Sequence, residues 1–327
     1  MTDTSTTYMG LQLTSPIVVA ASPISSYVDR IRQAEDCGAG AMVIRSLFEE
    51  QVEETARRQD YEPEAPSSDT TRVFFPHTRD GALNEHLYWV KKTRKAVSFP
   101  LIGSINARHA AAWAKYAKAL EDAGVDALEL NVYSVEADLH ISAHTVEERL
   151  VATVLSVVEA VDIPVAVKLS PYYSCLANVA HQLERAGVGS LVLFNRFLQP
   201  TIDPHHERLV TTQMPLSQEG DIRLPLRWVG LLAGRINCDL ALSSGVHSGL
   251  DVVRGLLAGA KVVQTASALL QQGVPYLEVM NRQLEGWMHH NGHRTLADFT
   301  GMLKDLSIQE FGAYERAQYV QMILEHR

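Results

Sequence analysis

Short apolar runs alternate with longer amphipathic ones along this chain. Pro16–Ala21, Ala41–Arg45, Pro100–Ile105, Ala127–Val132, Val165–Leu169, Ser190–Asn195, Asp239–Ser243 and Lys261–Thr265 are rich in Val, Ile and Leu. Runs of this kind predict parallel strands buried on both faces and joined by helical crossovers. Between them Ala110–Ala123, Val146–Val161 and Leu176–Ala186 carry apolar residues at three- and four-residue spacing, the stripe of a helix laid on a sheet. Asp36-Cys-Gly-Ala-Gly, Asp122-Ala-Gly-Val-Asp and Arg185-Ala-Gly-Val-Gly place a glycine just past a helix, where a left-handed residue ends it before the next strand. Eight strand–helix units predict an α/β fold, a closed (β/α)8 TIM barrel with long βα loops on its C-terminal rim. An open doubly wound sheet is the alternative, but no Gly-x-Gly-x-x-Gly follows the first strand. Tyr276–His290 and Leu303–Glu325 read as flanking helices, so residues 1–327 are expected to form a single barrel domain.

Composition narrows the function. With 29 Lys and Arg against 38 Asp and Glu, the net charge of -9 argues against nucleic acid and anionic membranes as partners. Cys37, Cys175 and Cys238 are widely spaced, which suits a reducing compartment and no metal or disulfide framework. No basic, apolar leader and no run of about 18 apolar residues occurs. A cytoplasmic protein is the expectation.

The candidate chemistry lies at the strand ends. Arg45, Asn106, Asn131, Lys168 and Asn195 end successive apolar strands and converge on the mouth of a barrel. Lys168, flanked by Val165, Val167 and Leu169, is expected to be buried, and a buried ammonium needs an anionic partner or ligand. One reading is an ion pair with Glu129 on the neighbouring strand. The other is a cation beside a heteroaromatic ring or carboxylate that gains negative charge in reaction. Leu242-Ser-Ser-Gly-Val-His-Ser248 and Gln264-Thr-Ala-Ser-Ala268 follow the seventh and eighth strands, where barrels bind phosphate; Ser243, Ser244, Thr265 and Ser267 offer hydroxyls there. A phosphate at one side and amides at the other fit the length of a flavin mononucleotide. The long connections Ser46–Ala82, with Arg57, Arg58, Phe74, Phe75 and His77, and Arg196–Leu224, with His205 and His206, follow strands and sit on the same rim.

Tyr8-Met-Gly-Leu-Gln-Leu-Thr-Ser-Pro-Ile-Val-Val-Ala-Ala-Ser22, Glu129-Leu-Asn131, Val167-Lys-Leu-Ser-Pro171, Leu193-Phe-Asn195, Ser244-Gly-Val246 and Thr265-Ala-Ser267 occur in that order. In sequence they resemble the motifs of the dihydroorotate dehydrogenase family of FMN-dependent barrels, and its dihydroorotate dehydrogenase-like branch in particular, over residues 8–290. The resemblance implies FMN contacts from Ala21, Ser22, Arg45, Asn106, Asn131, Lys168, Ser244, Gly245 and Ser267. It implies substrate contacts from Asn131 and Asn195, and catalytic roles for Ser134, as base, and Lys168. The implied reaction oxidises a ring CH–CH bond of a dihydropyrimidine, dihydroorotate to orotate in pyrimidine biosynthesis, with electrons leaving to a soluble acceptor or redox partner protein. A homodimer is a further implication.

The departures are specific. Arg45 stands where the family usually has Lys, Val135 and Glu136 replace the Pro and Asn that follow the base, and Ala266 replaces a glycine. The Asn-rich substrate loop between the second and third strands is not recognisable around Phe74-Phe75-Pro76-His77. Glu136 in the substrate position disfavours an anionic carboxylate, and His140, His144 and Tyr133 are alternative bases. Two other functions stand beside the first: an FMN-binding accessory or electron-transfer subunit without dehydrogenase activity, and a flavin-free aldol-type barrel with Lys168 as Schiff-base nucleophile.

Overall fold

The computed structural model describes residues 2–53, 81–132, 135–196, 200–210, 216–304 and 311–325. An antiparallel hairpin of β1 (Thr6–Tyr8) and β2 (Leu11–Leu13) leads into β3 (Ile17–Val19), β4 (Ala41–Val43), β5 (Leu47–Phe48), β6 (Leu101–Asn106), β7 (Ala127–Asn131), β8 (Val165–Leu169) and β9 (Ser190–Leu193). A second hairpin, β10 (Thr201–Asp203) with β11 (Arg208–Val210), precedes β12 (Asp239–Ser243) and β13 (Val262–Thr265). The parallel ladder runs β3, β4, β6, β7, β8, β9, β12, β13 and back to β3. The sheet closes on itself, as the unit count predicts, and the expected bounds of β8 and β12 are met to the residue.

Period two along each strand sorts side chains between two cores. Val18, Ala41, Val43, Ile102, Ala127, Ala166, Val192, Ala241 and Val262 point into the barrel and pack on Tyr8, Met9 and Leu13, so the first hairpin plugs the N-terminal end. Met9 N donates to Asp239 Oδ2 at 2.8 Å and ties that plug to the start of β12. Alternate strand residues such as Leu128, Leu130, Val167 and Leu242 face outward onto the helices. Further up the same inward faces the residues become polar: Ser104, Glu129, Lys168 and Gln264 are all buried. The apolar floor thus supports a polar mouth.

The glycines expected to end helices do so: Gly38, Gly124 and Gly187 have φ of 83°, 95° and 89°. The expected second strand differs. It stops at Val43 and resumes as β5, pairing with the upper half of β6. Between the two pieces, Arg45 N donates to Ser25 Oγ at 2.8 Å instead of to a strand, so a side chain from the first rim loop breaks the ladder at Arg45. At the C-terminus the last helix spans Phe311–Glu325 rather than starting at Leu303. Residues ahead of it are held differently, with Phe299 buried against Trp287 and His293 and Gly301 N and Leu303 N bonded to Leu256 O and Leu257 O. Among the described residues no helix is long and apolar enough to cross a membrane.

Candidate active site

Lys168 is the centre of the polar mouth. Register places it beside Asn131 on β7 and Val192 on β9. Its ammonium lies 2.9 Å from Gln264 Oε1 and 3.4 Å from Glu129 Oε1, while Gln264 Nε2 donates to Glu129 Oε2 at 2.6 Å. The expected ion pair with Glu129 is therefore present, but as one side of a three-residue ring. The Lys168 side chain is 9% exposed and that of Glu129 1%. A carboxylate buried that deeply is tolerated because both oxygens are bonded. Two of the three ammonium protons are used among the described residues, which leaves one donor for a ligand. This setting suits a fixed cation and not an amine nucleophile, which must be free and unprotonated to attack.

Around Lys168 the rim is built from short polar groups. Asn195 Nδ2 donates to Asn131 Oδ1 at 2.8 Å, so the amides predicted on the fourth and sixth strands meet across the fifth. Asn195 is brought there by its own backbone N–H, which bonds Leu169 O at 2.8 Å. Ser46 and Ser104 hydroxyls lie 2.7 Å apart below. Ser22 caps the turn Pro23–Ser26 by accepting from Ile24 N, and Ser25 Oγ in that turn donates to Ser22 O while receiving Arg45 N. Ala21, Ser22, Arg45 and Asn106 thus stand at the ends of the first three strands. Ser134 and Tyr133 lie outside the described residues, as do Arg57, Arg58, Phe74, Phe75 and His77. His144 is exposed and reaches Glu148 at 3.1 Å on its own helix, and Glu136 is exposed and faces Arg149 at 3.6 Å.

The turns after β12 and β13 are stitched together. Ser243 is in register with Gln264, and Thr265 Oγ1 donates to Val246 O at 3.0 Å. Ser244 and Gly245 have φ of 83° and 73°. Ser244 accepts this left-handed geometry with its hydroxyl bonded to Phe194 O at 3.2 Å. Ala266, in the glycine position of the resemblance, has φ -142°, where no glycine is needed. Hydrogen-bond accounting selects the groups left for an anion. Asp251 already takes His247 N, Ser248 N and Ser248 Oγ, which closes the N-terminus of helix Gly249–Ala258. The protons of Thr265 and Ser244 are spent. Among the described residues Ser267 Oγ only accepts, from Ser217 N at 3.0 Å, which leaves its proton for a ligand.

Three residues of this region are absent from the sequence reading as site groups. Gln264 was readable, since it lies two residues from the inward Val262. Ser217, whose hydroxyl is 3.1 Å from His247 Nε2, sits in a loop without a pattern. His86 has a buried Nε2 without a hydrogen bond among the described residues. Burial first, and the nearby Arg45 charge second, push its pKa down to about 4, so the imidazole is neutral at pH 7.

At the edge of the rim Glu49 accepts Arg108 N at 2.6 Å, His109 N at 3.0 Å and His109 Nδ1 at 2.7 Å, capping helix Ala110–Ala123, whose own N-cap His109 makes no side-chain cap bond. Burial pushes the Glu49 carboxyl up, but these bonds outweigh it and hold the pKa below the ordinary value. A lowered folded pKa contributes stability above the unfolded value of about 4.3, lost as pH falls through the folded one. Glu49→Gln is expected to cost about 1 kcal/mol at pH 7 and to flatten the acid side of a denaturation curve measured from pH 7 to pH 3.

A family model described as dihydroorotate dehydrogenase matches residues 4–288. The chain belongs to the dihydroorotate dehydrogenase family. It is 25% identical over 313 residues to a protein of Thermoplasma volcanium named dihydroorotate dehydrogenase B (NAD(+)), catalytic subunit, covering 92% of this chain and 99% of that one. Proteins of the same name from Methanothermobacter thermautotrophicus and Pyrococcus furiosus are 26% and 24% identical, over 92% and 90% of this chain and 98% and 96% of theirs. The family is one of oxidoreductases, and the matched span covers the whole barrel and its mouth. Residues 289–327, including the Phe299 packing and the last helix, lie beyond the matched span.

Proposed function

We propose that the protein is an FMN-dependent oxidoreductase that oxidises the ring CH–CH bond of dihydroorotate to give orotate, a step of pyrimidine biosynthesis. The observation that carries this reading is the buried Lys168 ammonium, held by Glu129 and Gln264 with one donor free and flanked by the Asn131–Asn195 pair. The donor set fits FMN. Lys168 would offer a cation to an anionic ring edge, Asn106, Asn131 and Asn195 would offer amides to imide edges, and the Ser267 hydroxyl with the Ser244–Gly245 turn would hold a phosphate. When bound, FMN supplies the hydride acceptor.

The chain's own residues do the rest. Asn131 and Asn195 orient the substrate's amide and imide edges, each amide having both a donor and an acceptor to give. Lys168 and Arg45 place positive charge at the mouth and favour any group that becomes anionic there. Ser134 is the proposed base for the proton beside the substrate carbonyl, and it requires a proton acceptor behind it because a free hydroxyl is a weak base. Arg45 also supplies a cationic partner for the substrate carboxylate, offsetting Glu136, which is engaged with Arg149. Electrons are proposed to leave to a soluble acceptor or a partner subunit, in keeping with relatives named as catalytic subunits, in the cytoplasm.

Orotate formation followed by chromatography tests this directly. Wild-type protein with FMN, dihydroorotate and an artificial acceptor is expected to form orotate, and Asn195→Ala to lose about 1.5–3 kcal/mol of kcat/KM. Orotate absent from flavin-loaded wild type removes dihydroorotate as substrate.

A further inference from the structure

Gln264 is the one amide among the buried polar side chains Ser104, Glu129, Lys168 and Gln264 at the top of the barrel interior. In Val262-Val-Gln-Thr265 the period of two turns Val262 and Gln264 inward, and Gln264 is 1% exposed. A buried amide is costly unless all its partners are met. Here the partners dictate its orientation: lysine only donates, so Oε1 faces Nζ of Lys168, and a carboxylate only accepts, so Nε2 faces Oε2 of Glu129. The amide is wedged between two opposite charges, its negative end on the cation and its positive end on the anion. The direct Lys168–Glu129 contact is the longest side of the ring at 3.4 Å, against 2.7–2.9 Å for a tight charge-assisted bond.

We propose that Gln264 is a positioning residue that holds the Lys168 ammonium off Glu129 and so keeps its charge directed to the group bound at the strand ends. The inference rests on the FMN reading and deepens it: Gln264 sets how strongly the site favours the anionic, reduced ring. Without the amide, Glu129 has an oxygen left unbonded and Lys168 closes on it. The cation is then neutralised at short range and withdrawn from the mouth. Gln264 touches no reacting atom and acts through Lys168 alone.

The test uses flavin-loaded protein and the two-electron midpoint potential of the bound flavin, measured by dye equilibration. Gln264→Met keeps the volume and removes both bonds. It is expected to shift the reduced-to-oxidised equilibrium about tenfold toward oxidised, which is about 30 mV for a two-electron couple. Gln264→Met/Glu129→Gln is expected to return the potential to the wild-type value or above, because Lys168 then has no carboxylate to close on; a packing defect would persist in the double variant. Gln264→Leu also removes both bonds, so it is expected to shift the same way as Gln264→Met, and it carries the test if the methionine variant does not fold. A potential that stays within threefold of wild type in either single variant, or a shift that Glu129→Gln fails to reverse, overturns the role of Gln264. Wild-type protein that takes up no FMN overturns the FMN reading instead.

Discussion

Lys168→Ala is expected to lower kcat by about 10²–10³ and to destabilise the fold by about 3–5 kcal/mol. The two losses have different origins. Activity falls because the cation is gone from the place where negative charge develops. Stability falls because Glu129, with a side chain 1% exposed, is left as a buried carboxylate with only Gln264 to bond it. The double variant Lys168→Ala/Glu129→Gln separates them: denaturant unfolding is expected to recover most of the stability, since no uncompensated charge remains, while kcat stays at the level of the single variant. Recovery of activity in the double variant would show that Lys168 serves the fold and not the reaction.

Gly245→Ala is expected to be nearly as severe by a different route. A Cβ at Gly245 would stand 2.1 Å from Ile222 N and 2.7 Å from Asp221 C, and the residue has φ +73°. The left-handed strain costs about 1–2 kcal/mol. Backbone cannot yield as a side-chain end does, so the clash adds about 1–3 kcal/mol and pushes Glu219–Ile222 away from the turn after β12. FMN affinity is expected to fall with stability because the same turn is proposed to hold the phosphate. Gly220→Ala, where nothing lies within 4 Å of the added atom, is the control and is expected to change stability by less than about 0.5 kcal/mol. Thermal melts and flavin titration of the two variants check both statements.

The barrel was legible in the sequence because its signals are local. Strands such as Val165–Leu169 are apolar on both faces, and the helix ends carry glycines that only a left-handed residue explains. The strand-end residues were legible for the same reason, since period two puts Glu129 and Asn131 on one face and register puts Asn131 beside Lys168. What was missed depends on tertiary closure. Gln264 reaches Lys168 from a strand 96 residues away, across a barrel whose closure no single segment reveals. The break in the second strand comes from the Ser25 hydroxyl, a partner 20 residues distant. Spent hydroxyls show the same limit: Ser244 and Thr265 look like phosphate donors in sequence, and only the Phe194 and Val246 carbonyls beside them show where their protons go.

The Lys168 setting also separates the functional readings. A lysine locked between Glu129 and Gln264 is a poor Schiff-base nucleophile, and relatives named as catalytic subunits give no support to an accessory role. Ala266, which replaces a glycine, has φ -142°, outside the left-handed region that favours glycine. Of the other departures, Arg45 bonds Ser25 through its main-chain N–H, which any residue would supply, and Val135 is 59% exposed; nothing in the structure explains either replacement.

In the proposed function this mouth binds FMN and passes it electrons from dihydroorotate. An anaerobic visible absorption spectrum of the purified, FMN-supplemented protein, recorded before and after addition of dihydroorotate, tests it most directly. Flavin bands that remain with the protein through gel filtration and then bleach are the predicted result; bound flavin whose bands persist, or protein that retains no flavin, would contradict it.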